Sequence, residues 1–520
     1  MTDRPNYVHE ALELFAGFGD REALVGGDRR LTYRQVAAEV RGLTTALRRH
    51  GVRPGAAVLV MLGNTVEGPL LHLALHLLGC RAMWVAPVTS RREIDEFVAL
   101  AAPEVFVHDP RDPESGQVAA GLVGVPVLCL GPGGAGPDLT AGGADDPTDL
   151  PASGPAPESF LQTSGTTGTP KLVHHRESFY RQVLVLAAGI RDAGIPLLRH
   201  LSHSPMWLAS GQITTLVNLF TGGVLFLRER WDPAAFIATV DAERLTSTFV
   251  TPPMLYEVLD HPDLPGADFS AMFMFNVGAG PAAPARLRQA IARFGPCLRI
   301  VYGLSEAVVI CALPGLTDDP EHPERLRSCG RPYGDVTVEI RDADGRVLPA
   351  GVDGEVWART KLSFAGYHGQ PELTAETLVD GWVRTRDIGH LDDDGFLYLV
   401  DRLQDRILTR QRSWPIYSRP IEDVLAGHPE VRAAAVIGVP DPVAGELPHA
   451  YVVPAPGAAV TGDDLIALVV RELSETWAPG AVEFVDALPL NRSAKVDKRA
   501  LRVRYAQEHP AGADPIGSPA

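Results

Sequence analysis

The run Thr163-Ser164-Gly165-Thr166-Thr167-Gly168-Thr169-Pro170-Lys171 packs five hydroxyl side chains, two glycines and one lysine into nine residues. Glycines let backbone N–H groups approach anionic oxygens closely, hydroxyls donate further hydrogen bonds, and a lysine adds a mobile positive charge. That chemistry suits a cradle for the phosphates of a nucleotide. The commoner phosphate loop needs a Lys-Ser or Lys-Thr pair directly after its second glycine. Here Gly168 is followed by Thr169-Pro170-Lys171-Leu172, so a kinase-like or GTPase-like reading fails. The bland reading of the same composition is a surface linker, against which stand the strand-like lead-in Ser159-Phe160-Leu161-Gln162 and the terminal lysine.

Further groups with chemical potential follow. In Tyr302-Gly303-Leu304-Ser305-Glu306 the tyrosine can stack on a purine, Ser305 can hydrogen-bond a phosphate, and Glu306 can hold Mg²⁺ against phosphate oxygens. A plain strand-to-helix junction is the competing account. Asp387 can accept both hydroxyls of a ribose, and Arg402 can grip ribose or phosphate. Either could equally sit in a surface ion pair. Lys495 stands in a basic segment, Arg492 to Arg499, of a kind that is usually just solvated.

The elements that must position these groups alternate. Tyr33 to Arg49 has helical periodicity, Ala56 to Leu62 reads as a buried strand, Val66 to Leu78 as a helix, and Ala82 to Val85 as a strand. The alternation runs to about residue 310, which predicts parallel sheets covered by helices. Gly131 to Pro157, rich in Gly, Pro, Ala and Asp, is expected to be an exposed loop or linker. Short strands and tight turns between Val336 and Tyr398 predict a small β-rich subdomain. After Asp401-Arg402 a compact α+β pattern begins: helix Pro420 to Ala426, strands Ala433 to Val439 and Ala450 to Val453, and helix Asp463 to Trp477. The expected fold is α/β: a large N-terminal domain (1–402) of parallel α/β sheets plus the β-rich subdomain, then a small α+β C-terminal domain (403–520).

With 45% hydrophobic and 21% charged residues, the 520-residue chain has the composition of a globular protein. A net charge of -17 argues against nucleic acid and against anionic membranes, while local positive groups can still gather ATP. The five cysteines are scattered with no C-x-x-C pair, so neither a disulfide framework nor a zinc site is expected. The apolar run Pro69 to Val85 is interrupted by His72, His76 and Arg81, which makes it a buried helix rather than a membrane span. Met1 to Asn6 has no apolar signal core, and the expected location is cytoplasmic.

Taken together, these residues resemble the adenylate-forming (AMP-binding) superfamily of acyl-CoA and aryl-CoA synthetases, nonribosomal adenylation domains and beetle luciferases. The likeness starts at Leu31-Thr32-Tyr33 and takes in Gly55, Asn64, the Thr163–Lys171 loop and Gly278-Ala279-Gly280-Pro281. It continues through Tyr302 to Glu306, Gly366-Tyr367, Gly381-Trp382, Asp387, Arg402 and Lys495. It implies a small C-terminal domain that rotates between two half-reactions. A carboxylate first attacks the α-phosphate of ATP, giving an acyl-adenylate and pyrophosphate; a nucleophile then displaces AMP. By this resemblance Thr163, Ser164, Gly165, Thr166, Thr167, Gly168 and Lys171 clamp the β- and γ-phosphates. Glu306 with Thr166 holds Mg²⁺; Tyr302, Gly303 and Ser305 with Gly278, Ala279 and Gly280 hold adenine and phosphate. Asp387 and Arg402 take the ribose side, Lys495 reaches the carboxylate and α-phosphate only in the adenylating pose, and the hinge falls at Leu403-Gln404.

The chain departs from that family in four places. Thr-Gly-Asp becomes Thr385-Arg386-Asp387, Gly-Lys becomes Ala494-Lys495, and the hinge residue is Gln404. The glycine turn that lets pantetheine pass is replaced by Thr409-Arg410-Gln411-Arg412-Ser413-Trp414-Pro415, which puts thiol transfer in question. For the acyl pocket, Ser204 to Gln212 contains no acidic residue to pair an ammonium, which disfavours an α-amino acid. Trp207, Gln212, Asn276, Val277 and Leu304 suggest a flat, mostly apolar pocket for an aromatic or short unsaturated acid. The leading expectation is an ATP-dependent ligase that passes its acyl group to CoA or to carrier-protein pantetheine. The alternative keeps adenylation but uses a non-thiol acceptor, as in an amide-forming ligase or a nitrite-activating diazotase acting on an aromatic amine.

Overall fold

The computed structural model describes residues 5–87, 89–141, 154–163, 171–408, 416–441 and 444–509. Its first sheet has seven strands, in the order Gly366–Tyr367, Lys171–Arg176, Glu158–Thr163, Arg81–Val85, Ala57–Met61, Val105–His108 and Val127–Cys129. The inner strand Ala57–Met61 is buried at every position, as a parallel strand covered on both faces must be. Helix Tyr33–Arg49 begins on a capping box between Thr32 and Gln35 and buries Val36, Ala37, Val40, Leu43 and Leu47 at helical spacing.

A second sheet of nine strands is central to the site. Its inner strands Leu298–Tyr302, Met274–Gly278, Ser247–Val250, Arg199–Ser202 and Val224–Leu227 run parallel. The expected parallel sheets are present, and both large sheets carry antiparallel strands as well. Glu158–Thr163 turns back as Lys171–Arg176, with Thr163 opposite Lys171, and Cys311–Pro314 returns along Leu298–Tyr302. Strand-helix alternation carries no signal for such short returns.

The β-rich subdomain is a five-stranded antiparallel sheet that includes Gly354–Arg359, Trp382–Leu391 and Leu397–Arg402. A single 3₁₀ turn, Leu403–Asp405, leads out of it. Beyond it, Val431–Asp441, Gly445–Pro454 and Ala481–Phe484 form a three-stranded sheet. Its alternating side chains feed two cores, Val436, Ala450 and Val452 on one face and Ala435, Ile437 and Tyr451 on the other. The expected helix Asp463 to Trp477 ends at Glu472, followed by a 3₁₀ turn Glu475–Trp477.

The stretch expected as an exposed linker is largely exposed where it is described, but it is anchored to the large domain at a few points. Leu139 is buried, Asp138 bridges to Cys129, and a Cβ on Gly79 would lie 2.1 Å from the carbonyl oxygen of Pro155. Glycine and proline mark backbone that can come close to other backbone as readily as backbone that is solvated. The run Pro69 to Val85 forms helix Glu67–Leu77 and strand Arg81–Val85, and no described helix is long and apolar enough to cross a membrane.

The histidines inside that helix share a buried network with Tyr7 and Ser159, although His72 Nδ1 has no hydrogen-bond partner among the described residues. Tyr7 Oη lies 3.1 Å from His72 Nε2 and 2.7 Å from His76 Nδ1, and His76 Nε2 is 3.0 Å from Ser159 Oγ. Burial pushes His72 and His203 down to about 3, His175 and His200 down to about 4, and His76 well below its ordinary value. These rings are neutral when folded and become protonated on unfolding below about pH 6.5. The unfolded state then binds more protons, so stability is complete above about pH 6.5 and declines as pH falls toward about 4, by up to about 1.4 kcal/mol per unit for each ring. Thermal unfolding followed between about pH 7.5 and about pH 5 is expected to show a steadily falling Tm; a flat profile refutes neutral burial.

Candidate active site

Gly278 ends the strand Met274–Gly278 where a Cβ would meet the Val301 carbonyl at 2.6 Å and the Phe249 ring at 3.1 Å, so only glycine fits. Ala279 follows with φ 68°. One strand over, Tyr302 gives way to Gly303, whose Cβ would lie 2.1 Å from the Val308 carbonyl. Leu304 and Ala307 exchange backbone hydrogen bonds of 2.9 and 3.2 Å across that turn. His175 Nε2 sits 2.9 Å from the Ser305 carbonyl, and donates to it in the matching tautomer. Glu306 is thereby fixed at the tip of a tight turn.

Two side-chain networks converge here. Tyr302 Oη donates to Asp387 Oδ2 at 2.5 Å, and Arg402 Nε lies 3.1 Å from Asp387 Oδ1. The carboxylate, only 3% exposed, therefore stands between a phenol and a guanidinium. Beside it, Tyr367 Oη donates to Glu306 Oε1 at 2.6 Å, and Lys171 Nζ sits 5.6 Å above the Tyr367 ring. Burial lowers the Lys171 ammonium, Glu306 raises it, and Arg386 lowers it further.

Lys495 arrives from the other domain. Its turn is wound around Asn491, whose Oδ1 accepts from the backbone N–H of Ser493 and of Lys495, while Ala494 takes φ 54°. Arg492 ties the turn to Glu93 of the large domain at 2.5 Å. Burial pushes the Lys495 ammonium down to about 8; Arg402 lowers it, and Asp387 and Glu306 draw it back up. The C-terminal domain thus buries a cation within electrostatic range of the two carboxylates held by the large domain.

Some expected residues are placed otherwise. Gln212 is fully buried, with Tyr180 Oη donating to its carbonyl and its amide donating to Met206, each at 2.8 Å. Val277 is 1% exposed within the large-domain core, so neither it nor Gln212 offers surface to a pocket. Trp207 is buried too, while Asn276 bridges to the Thr248 carbonyl at 2.9 Å and Leu304 packs partly buried beside Tyr302. Tyr302 has 8% of its surface exposed, little for stacking, and its visible task is to hold Asp387. Gly280 has room around its Cα, the nearest atoms to an added Cβ being Pro252 at 3.8 Å. Ser164, Gly165, Thr166, Thr167 and Gly168, and the stretch Thr409 to Pro415, lie outside the described residues. The base of the latter is closed by reciprocal hydrogen bonds between Ile407 and Ile416.

Sequence reasoning gave no role to Tyr367, Asn491 or Arg492. Tyr367 is 61 residues from the glutamate it holds, and nothing local marks that pairing. Both Gly-to-side-chain departures keep a glycine-like backbone: Arg386 has φ 60° and Ala494 φ 54°. For arginine that conformation costs about 1–2 kcal/mol. The exposed ion pair of Arg386 with Glu376, at 3.2 Å, returns only about 0–1 kcal/mol.

The model of the AMP-binding enzyme family matches residues 13–368, and that of the AMP-binding enzyme C-terminal domain matches residues 420–495. The chain belongs to the AMP-binding enzyme family. It is an ATP-dependent, AMP-forming ligase with the family's large and small domains. A feruloyl-CoA synthase from Amycolatopsis is 34% identical over 487 residues, covering 92% of this chain and 95% of that protein. The structure of amide bond synthetase McbA from Marinactinospora thermotolerans is 36% identical with a TM-score of 0.85, covering 96% of this chain and 99% of that one. ATP-bound MatB from Rhodopseudomonas palustris is 26% identical with a TM-score of 0.83, covering 95% and 99%.

For this AMP-binding enzyme the donor set bears on Mg²⁺. No group of three or more His, Cys, Asp or Glu able to hold a metal occurs among the described residues. Glu306 gives Oε1 to Tyr367, and no described residue donates to its Oε2. One carboxylate oxygen suits an ion held chiefly by substrate phosphates and water, as Mg²⁺ commonly is.

Proposed function

We propose that this ligase activates a small aromatic or unsaturated carboxylic acid as its acyl-adenylate, releases pyrophosphate, and passes the acyl group to the thiol of CoA or of a carrier protein. The observation that carries the first step is that the Lys495 turn is tied to the large domain by Arg492 and Glu93 at 2.5 Å, with Lys495 buried within electrostatic range of the Asp387–Arg402 pair and of Glu306. In this reading Asp387 accepts the ribose hydroxyls, Arg402 closes over the same sugar, and Gly278 to Gly280 border the base. An acid oxygen attacks the α-phosphorus in line, the bond to the pyrophosphate oxygen breaks, and charge builds on the equatorial oxygens. Lys495 meets that charge, while Lys171 and the loop before it hold the departing phosphates. Mg²⁺, when bound by Glu306 with Thr166, adds charge neutralisation at the phosphates. The domain arrangement, with Lys495 inserted, corresponds to the adenylating pose.

The acceptor is supported less directly. Feruloyl-CoA synthase as a relative favours a thiol, and the absence of an acidic residue between Ser204 and Gln212 favours an acid without an α-amino group. A second reading, an amide-forming ligase, is favoured by the likeness to amide bond synthetase McbA and by the glycine-free stretch Thr409 to Pro415. Mass spectrometry of products from ATP, Mg²⁺ and a panel of acids, with CoA, amines, or nitrite plus an arylamine as acceptors, separates them. AMP release dependent on CoA is the expected result. Amide formed while CoA has no effect transfers the assignment to the second reading. AMP formed only with nitrite and an arylamine identifies a diazotase.

A further inference from the structure

Six described residues other than glycine hold a positive φ. Ala102 and Arg244 follow helix ends, and Asp380 precedes Gly381 in a tight hairpin turn. The other three, Ala279, Arg386 and Ala494, belong to the active site. Two of these are alanines, the smallest departure from glycine. Arg386 alone among the three places a long charged side chain on such a backbone, and its exposed ion pair does not offset the conformational cost.

Its surroundings suggest what the side chain is for. Arg386 immediately precedes Asp387 on strand Trp382–Leu391, and its partner Glu376 lies on helix Pro371–Thr377. That helix follows the short strand Gly366–Tyr367, which pairs with Lys171–Arg176. The helix also touches Tyr367, whose N–H donates to Thr374 Oγ1 at 2.9 Å, and Lys171 Nζ lies 5.6 Å from the Tyr367 ring, so Arg386 and Glu376 stand on the Lys171 and Tyr367 side of the site. Two cations on one side of the site, Arg386 paired with Glu376 and Lys171 over the Tyr367 ring, can be drawn together by a polyanion arriving between them.

We propose that Arg386 is a positioning residue for the β,γ-phosphate end of ATP and for the pyrophosphate product, released from Glu376 when that anion binds. The proposal rests on the adenylating reading for its ligand but concerns a residue that reading does not require. The guanidinium adds to Lys171 a planar donor pair that an ammonium lacks. It gives this chain a tighter hold on the departing phosphates than a glycine at the same place would.

Equilibrium titration of the full-length protein with MgATP, magnesium pyrophosphate and AMP tests this without an acid substrate. R386G is expected to weaken ATP and pyrophosphate by about 5- to 20-fold while leaving AMP within about twofold, since AMP lacks the phosphates concerned. R386K should recover part of the loss, and E376Q, which releases the arginine, should tighten pyrophosphate. R386G should melt no lower than the wild type, because glycine relaxes the backbone. Unchanged ATP and pyrophosphate affinity in R386G overturns the proposal, as does an equal loss for AMP, which signals damage to Asp387 instead. If ATP binding weakens as expected but no acid supports ATP–pyrophosphate exchange in the wild type, the anion site stands and the adenylating reading falls.

Discussion

Replacing Lys495 with alanine is expected to lower the rate of ATP–pyrophosphate exchange by about 100- to 1,000-fold, the scale set by removing one preorganised group that meets transition-state charge. From a turn on another domain, Lys495 lies within electrostatic range of two carboxylates and a guanidinium. Folding should be unaffected or slightly improved, since the ammonium is held against a desolvation cost. Conversion of a supplied acyl-adenylate, which needs no attack on phosphorus, should continue. Exchange persisting undiminished in Lys495→Ala would falsify the role.

The same lysine gives a pH signature. Burial and Arg402 bring its ammonium down to about 8, so the charged form is lost as pH rises through that value. The adenylation kcat/KM, which reports groups of the unliganded enzyme, is expected to fall above about pH 8. Lys495→Arg, still charged at every accessible pH, should lower the plateau yet remove the alkaline fall.

Replacing Asp387 has the second large effect. Asp387→Ala removes the proposed ribose acceptor and should raise the KM for ATP by about 30- to 100-fold, the worth of one or two charge-assisted hydrogen bonds. It also strands Tyr302 Oη, a buried donor now bound at 2.5 Å, which costs about 1–3 kcal/mol of stability. Arg402 adds little to that loss because its side chain is 46% exposed. Asp387→Asn keeps the shape and separates the two effects. Because Asp387 raises the Lys495 ammonium, either variant should move the alkaline fall to lower pH. A KM for ATP within about twofold of wild type in both variants removes Asp387 from the nucleotide site.

Burial periodicity and composition were enough for the helices Tyr33–Arg49 and Glu67–Leu77, the strand Ala57–Met61 and the two-domain order, because each is a local pattern of apolar spacing. The candidate site residues were nominated for a related reason: Thr163 to Lys171, Tyr302 to Glu306, Asp387 and Lys495 are short segments whose residue types suggest phosphate and ribose chemistry without reference to their partners. The acyl pocket was less legible. Gln212 is polar and lies in a suggestive stretch, yet its amide is consumed by Tyr180 and Met206. Only packing decides whether such a side chain faces a ligand or the core.

By itself the sequence determined the strongly periodic helices and strands and nominated the residues whose chemistry suits phosphate. Tertiary structure alone decided that Tyr302 would hold Asp387 across 85 residues and that Tyr367 would hold Glu306. It also decided that Lys495, from a separate domain, would be buried within electrostatic range of both carboxylates. It kept the backbone of Arg386 in a glycine conformation although the glycine is gone. The physical reason is the same throughout. Propensity and periodicity act over a few residues, whereas these contacts are set by strand register, sheet twist and domain docking, which the whole chain determines together.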